Sequence, residues 1–190
     1  QMIKESGIVF DEIEPEAVDM PFGTATGAGV IFGVTGGVTE AVLRRVSADK
    51  SRASLATIAY QGIRGMEGVK EATIDYGDRE IRVAVVSGLK NASDLIERIK
   101  AGEHYDLVEV MACPGGCVGG GGQPITDGVE LADVRGRNLY KLDKKNPLRF
   151  SHENPSVIKA YEDFFEKPLS HKSHELLHTD HEAWKMPNQR

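Results

Sequence analysis

The apolar positions of this chain change period along its length. Over 69-VKEATIDYGDREIRVAVVSG-88, β-branched residues fill two arms around Tyr76, Gly77 and Asp78, which predicts a β-hairpin. Ahead of it, Val38, Ala41, Val42 and Val46 recur at helical spacing, with Arg44 and Arg45 near the end where cations suit the helix dipole. A second helix is predicted over 52–63, and a weak strand signal lies at 7–10. Beyond the hairpin, Asn91 reads as the N-cap of a helix running to Lys100. The stretch YDLVEVMA, 105–112, reads as a short strand. Helix, hairpin, helix, strand is the order of an α/β layer.

After Pro124 the pattern loosens. Residues 135–149 are polar and basic, and Lys144, Lys145 and Arg149 are expected to be solvated or to pair with acids of the same run. Asn154 followed by Pro155 predicts a capped helix start, with Ile158, Tyr161 and Phe165 on the apolar face. Ser170 predicts the cap of a last helix reaching about His181, buried through Leu176 and Leu177. A glycine-rich passage, 23-GTATGAGVIFGVTGG-37, precedes the first helical pattern. Gly27, Gly29 and Gly33 admit a dinucleotide-loop reading, but no clear strand precedes them and the last spacing is one residue too long. Glycines that allow close helix packing are the plainer reading.

Composition narrows the class. Of 190 residues, 40% are hydrophobic and 27% charged, which supports a globular core. A net charge of −6 argues against nucleic acid or an anionic membrane as partner. No apolar run approaches the ~18 residues of a span. The opening QMIKESGIVFDEI lacks a signal-peptide profile, which makes cytoplasmic the expected location. A start on Gln1 fits a piece of a longer protein.

Both cysteines fall in 109-EVMACPGGCVGGGGQP-124. A Cys-x3-Cys pair is not the Cys-x2-Cys of a thioredoxin-like centre. Structural zinc needs four ligands. A radical-SAM pattern would need a third thiol where Gly120 stands. A cubane iron–sulfur cluster takes about four thiolates, and this chain has half of them. Gly115 and Gly116 would let the backbone turn and bring amides near sulfur, and Gly119–Gly122 would let it pass a bulky group. A flexible loop with two idle thiols stays open beside the cluster reading.

This string resembles the third cysteine signature of the iron-only (FeFe) hydrogenases, Glu-x-Met-Ala-Cys-x-x-Gly-Cys-x-x-Gly-Gly-Gly-Gln-Pro, at every fixed position. The stretches 31-IFGVTGGVTEAVLR-44 and 151-SHENPSVIKAYEDFFEKPLSHKSHELLHT-179 are similar to the same family, the latter to a tail that some members carry as a small subunit. The resemblance implies an α/β fold: one lobe of a two-lobed catalytic domain over 1–126, then a helical small-subunit-like segment over 127–190. It implies reversible reduction of protons to dihydrogen at an H-cluster, a 4Fe–4S cubane joined to a diiron unit. Cys113 and Cys117 would ligate the cubane, Cys117 also bridging to the diiron unit. Met111 would pack against that unit, and Phe32 and Gly33 would line its pocket. The amides of Thr35, Gly36 and Gly37, before a helix, could favour an anionic ligand such as cyanide.

Two earlier signatures of the family are missing, one with Cys-Cys-Pro and one with Pro-Cys-x-x-Lys, and with them two cubane ligands and the proton-relay thiol. No proton-relay residue is therefore assigned to this chain. The expectation is the C-terminal part of a hydrogenase, lacking the cluster and inactive alone. Its expected partners are the N-terminal remainder, electron-transfer iron–sulfur domains, and ferredoxin or NAD(P)-linked subunits, with self-association of the uncovered lobe. The alternative is a hydrogenase-like sensory or assembly protein without turnover. Thr39, where many members have Met, and 178-HTDH-181 depart from the family pattern and leave that choice open. His171, His174, His178 and His181 follow one helical face, expected to be a partly solvated packing face rather than a zinc site.

Overall fold

The computed structural model describes residues 1–19, 23, 25–46, 64–65, 67–75 and 80–178. The expected helix at 52–63, the hairpin turn at 76–78 and His181 lie outside these residues.

The hairpin forms as expected. Strand β1 (Val69–Asp75) pairs antiparallel with β2 (Glu80–Ser87), Val69 opposite Val86 and Asp75 opposite Glu80. A third strand, β3 (Leu107–Met111), lies parallel to β2, with Val83 opposite Leu107 and Ser87 opposite Met111. Parallel strands need a crossover, and a helix (Leu89–Lys100) supplies it. Its N-cap is Gly88, at φ +88°, rather than Asn91. The Asn91 amide instead donates to the Ser87 carbonyl at 2.7 Å, so a cap-type side chain serves the helix from inside its first turn.

Alternation along β2 sends side chains to opposite faces. On one face, Val83, Val85, Ile81 and Ile74 pack with Leu43 of the helix Gly37–Val46. On the other, Ala84 and Val86 pack with Ala92 and Leu95 of the crossover helix. Each fully buried valine contributes on the order of 1.5–3 kcal/mol. A second core gathers Ile31, Val34, Val118 and Ala132, with Leu139 and Tyr140 against it.

Several elements differ from expectation. Residues 7–10 form no strand; Phe10–Glu12 is a single 3-10 turn and residues 1–19 are exposed, since an apolar stretch without a pairing neighbour has no ladder to join. The polar run after 131 is a 14-residue helix, Ala132–Lys145. Its own acid, Asp143, pairs with Arg149 while Lys144 and Lys145 stay exposed. Between the cysteine loop and this helix, Ile125–Thr126 and Val129–Glu130 make a minimal hairpin around Asp127 and Gly128, both at positive φ, as a tight twisted turn demands.

The helix Gly37–Val46 turns its charged side inward. Thr39, Glu40, Leu43 and Arg44 are buried, whereas Val42 and Val46 of the expected apolar stripe are exposed. Arg44 forks onto Asp143 at 2.8 and 2.7 Å and reaches Glu40 at 2.5 Å. Arg149 forks onto the same carboxylate at 2.8 Å. Arg64 holds Glu40 and lies 3.9 Å from the Tyr140 ring centre. Two cations per carboxylate make this burial tolerable.

In the C-terminal region, Asn154 caps the helix Pro155–Ala160 through the Ser156 amide, and Ser170 caps His171–Leu177 through the Ser173 amide, both as expected. Tyr161 and Phe165 meet as tilted rings, their centres 5.4 Å apart, in the turn that follows the first of these. Leu176 and Leu177 are half exposed, so the buried contact expected of them is made by Ser173 instead. No helix among the described residues is long and apolar enough to cross a membrane.

Candidate functional site

The cysteine loop leaves the C-terminal end of β3, beside the C-terminal end of β2. Chain ends at that edge of parallel strands splay apart and leave room for a ligand. Cys113 is half-buried and Cys117 exposed, and both thiols are free.

The loop is braced, not slack. Ser87, 3% exposed at the end of β2, accepts from the Gly115 N–H at 2.8 Å and donates to the Cys113 carbonyl at 3.1 Å. The Gly115 carbonyl accepts from the Thr35 N–H at 3.1 Å. Arg135 donates to the carbonyls of Val118 and Pro124, pinning both ends of the glycine run. Gln123 donates to the Cys117 carbonyl at 3.2 Å.

Gly116, at φ +91°, sits against the preceding glycine-rich passage. A Cβ there would come within 2.8 Å of both the Gly33 carbonyl and the Thr35 nitrogen. Gly120 lies beside the sulfur of Cys113, where a Cβ would stand 3.7 Å from Sγ. Gly121 meets nothing within 4 Å. The glycines thus allow a tight turn and an open side, as expected. Their amides behave otherwise: those of Gly115, Gly116, Gly119 and Gly120 all donate to oxygen acceptors within the protein rather than being left for sulfur.

The passage 25–37 is a packing seam. Gly27 donates its N–H to the Leu148 carbonyl at 2.7 Å and leaves room for Asp143. Gly33 accommodates Leu139, whose methyl would lie 2.9 Å from a Cβ. The amides before the helix are not free for an anion. Glu109, buried in β3, accepts from Gly36 N–H at 2.6 Å and from Thr39 N–H at 2.7 Å. An internal carboxylate therefore occupies the place suggested for a cyanide-like ligand. Beneath it, Lys70 donates to the carbonyls of Thr35 and Gly65. Burial pushes the Lys70 amine below the usual lysine range, with Glu109 and Glu67 acting the other way.

Of the expected site residues, Gly33 lies against the cysteine loop at Gly116, and Met111 ends β3 two residues before Cys113 with its carbonyl accepting from Gly88. Phe32, on the turn Ile31–Gly33, is 45% exposed. His171, His174 and His178 are exposed, the last two with rings stacked at 4.3 Å. Among the described residues no three His, Cys, Asp or Glu side chains are grouped for a metal ion. Ser87, Lys70 and Arg135 escaped the sequence reading. Only Glu109 left a signal, a charge at a core-facing position between apolar neighbours.

Known proteins resemble this chain in sequence and fold. The family model for the iron only hydrogenase large subunit, C-terminal domain, matches residues 1–121, and that for the iron hydrogenase small subunit matches 129–184. The chain is 48% identical over 180 residues to the NADP-reducing hydrogenase subunit HndD of Solidesulfovibrio fructosivorans, covering 94% of this chain and 31% of that one. Against iron hydrogenase 1 of Clostridium pasteurianum it is 41% identical over 187 residues, covering 94% and 32%. The FeFe-hydrogenase HydA1 from Chlamydomonas reinhardtii superposes with a TM-score of 0.61 at 38% identity, over 94% of this chain and 52% of that one. At 30% identity the chain also matches the cytosolic iron-sulfur assembly component 3 of Mus musculus, over 99% of its own length and 40% of the relative's. It spans about a third of the two hydrogenase relatives' length.

Proposed function

Because this chain belongs to the iron-only hydrogenase family, we propose that it forms the C-terminal portion of an FeFe-hydrogenase catalytic domain and supplies two of the four thiolates of a cubane. The observation that carries this reading is the braced loop at the strand ends, which holds Cys113 and Cys117 with three residues between them and an open, glycine-lined side. The donor set fits half of a cubane. Only two cysteines exist in the sequence, so the remaining ligands come from the N-terminal remainder of the domain. When bound, the H-cluster supplies the redox chemistry that interconverts protons and dihydrogen. The chain's own residues would supply ligation and shape: Cys113 and Cys117 would be cubane ligands, Cys117 the one shared with the diiron unit, and Met111, Phe32 and Gly33 would line the pocket.

We place the junction between the large-subunit part and the small-subunit-like segment at 126/127, in the turn of the minimal hairpin and between the two matched spans. Electrons would arrive through upstream iron–sulfur domains, a ferredoxin or an NAD(P)-linked subunit. A second reading, an iron–sulfur assembly or sensory protein without turnover, has the 30% identity to the assembly component in its favour.

Anaerobic reconstitution with iron and sulfide, followed by metal analysis and mass, tests the ligand assignment. The chain alone is expected to stay metal-free. With the N-terminal remainder added, about four irons per complex are expected. Cys113→Ser or Cys117→Ser should lower that uptake. Iron held in the complex after both substitutions would end the assignment. Dihydrogen evolution by the matured, full-length protein separates the hydrogenase reading from the assembly reading.

A further inference from the structure

We infer that Ser87 is the positioning residue of the cysteine loop, holding the Cys113 turn so that its two thiols can close on one soft metal centre. The inference rests on the reading of Cys113 and Cys117 as ligands and names the residue that sets their geometry.

Three observations meet at this side chain. Ser87 ends the central strand, tied to both neighbours: its register partner is Met111 on β3, and its N–H donates to the Gly68 carbonyl at 2.8 Å beside β1. Its hydroxyl spans the turn, accepting from Gly115 N–H and donating to Cys113 C=O. Both partners flank Pro114, so one oxygen fixes the turn on either side of the residue that follows the first thiol. The Gly116 N–H donates back to the same Cys113 carbonyl at 3.0 Å. The sulfur of Cys113 is therefore carried on a peptide held from the sheet by a hydroxyl and from the loop by an amide.

Chemistry explains why a hydroxyl is needed. An unbraced glycine turn samples many conformations, and a ligand must be held to about half an ångström for tight metal binding. A serine hydroxyl both donates and accepts, which an alanine cannot do. Loss of the hydroxyl leaves the buried Gly115 N–H without its acceptor.

The test uses the 190-residue chain and phenylarsine oxide, which needs no other ligands. Its arsenic forms two As–S bonds with Cys113 and Cys117. Its oxygen leaves as water with the two thiol protons, so no oxidant or reductant is required. Ser87→Ala is expected to weaken this capture about tenfold, the equivalent of one unsatisfied buried hydrogen bond. Ser87→Thr, which keeps the hydroxyl, is expected to return it to within about threefold. Parental capture by a folded Ser87→Ala chain, or failure of Ser87→Thr to restore it, overturns the inference. Should Ser87→Ala not fold, hydrogen exchange of the parent decides: a Gly115 amide exchanging at its intrinsic rate overturns the inference, and one slowed at least about tenfold supports it. Iron uptake is read separately, so the ligand assignment can fail while the Ser87 result stands, and the reverse.

Discussion

Asp143 shows how much one buried side chain can organise. At 1% exposure it accepts forks from both Arg44 and Arg149, and Gly27 is small because this carboxylate lies against it. Burial by itself would raise its pKa, but the hydrogen bonds and charges of the two arginines together more than offset that and hold it below the usual carboxylate range. Removing the charge takes a carboxylate from both arginines, Arg44 keeping only Glu40, so Asp143→Asn is expected to cost about 3–5 kcal/mol in urea unfolding. A loss under about 1 kcal/mol would mean that the arginines find water instead. Because the folded pKa lies below the unfolded one, this contribution is complete above about pH 4 and is lost as the pH falls through the lower, folded value. The acid limb of parental stability should therefore be steeper than that of Asp143→Asn.

Among the elements, the helix Gly37–Val46 depends on a carboxylate from a strand 70 residues away. Glu109 caps the helix through Gly36 and Thr39, and the same segment, at Thr35, receives the cysteine loop. Glu109→Gln keeps the size of the side chain but loses the charged acceptor. It is expected to cost about 1–2 kcal/mol, read from the urea midpoint; an unchanged midpoint would show that the cap is dispensable. Glycines of the loop should divide in the same assay. Gly116→Ala meets backbone at positive φ and should cost at least about 1–3 kcal/mol. Gly121→Ala meets open space and should stay within about 0.5 kcal/mol. Equal effects at the two positions would refute the seating of Gly116 on Gly33 and Thr35.

Over the whole molecule, titration at high pH reports on packing. Burial, then the fields of Glu40 and Glu109, raises the Tyr140 phenol, with Arg64 and Arg44 acting against them. Tyr105 is pushed up to about 12 by burial and by its hydrogen bonds to Glu71 and Glu103. A raised tyrosine pKa stabilises the fold up to the ordinary value near 10, and that stability is lost as the pH climbs toward the folded value. Lys70 works in the opposite sense: its depressed pKa makes the fold gain on the unfolded chain as the pH rises to the ordinary lysine value of about 10.4. The tyrosines take over above that. Tyrosinate absorbance and circular dichroism followed together should show Tyr140 ionising only as the helices melt, and Tyr140→Phe should remove that coupled step. Tyrosinate formation complete before any loss of helix would contradict the buried phenol.

Local patterning by itself determined the hairpin arms, the caps at Asn154 and Ser170, the turns at Gly115 and Gly116, and the cysteine signature. Each of these is set by neighbours within a few residues, through side-chain alternation, a cap oxygen within reach of the next amides, or a backbone that only glycine tolerates. The same local view found the helix Gly37–Val46 but not its buried face, because Val38, Ala41, Val42 and Val46 at helical spacing say nothing about Asp143 and Arg64 meeting Arg44 and Glu40 on the other side. Only the tertiary structure decided that Glu109 would take the helix amides, that the glycines of 25–37 form a seam for Leu139 and Asp143, and that Ser87 would hold the Cys113 turn. Those partners lie 26 to about 116 positions apart in the chain. At such separations no periodicity links them, and which oxygen meets which amide follows from how the sheet and its helices pack.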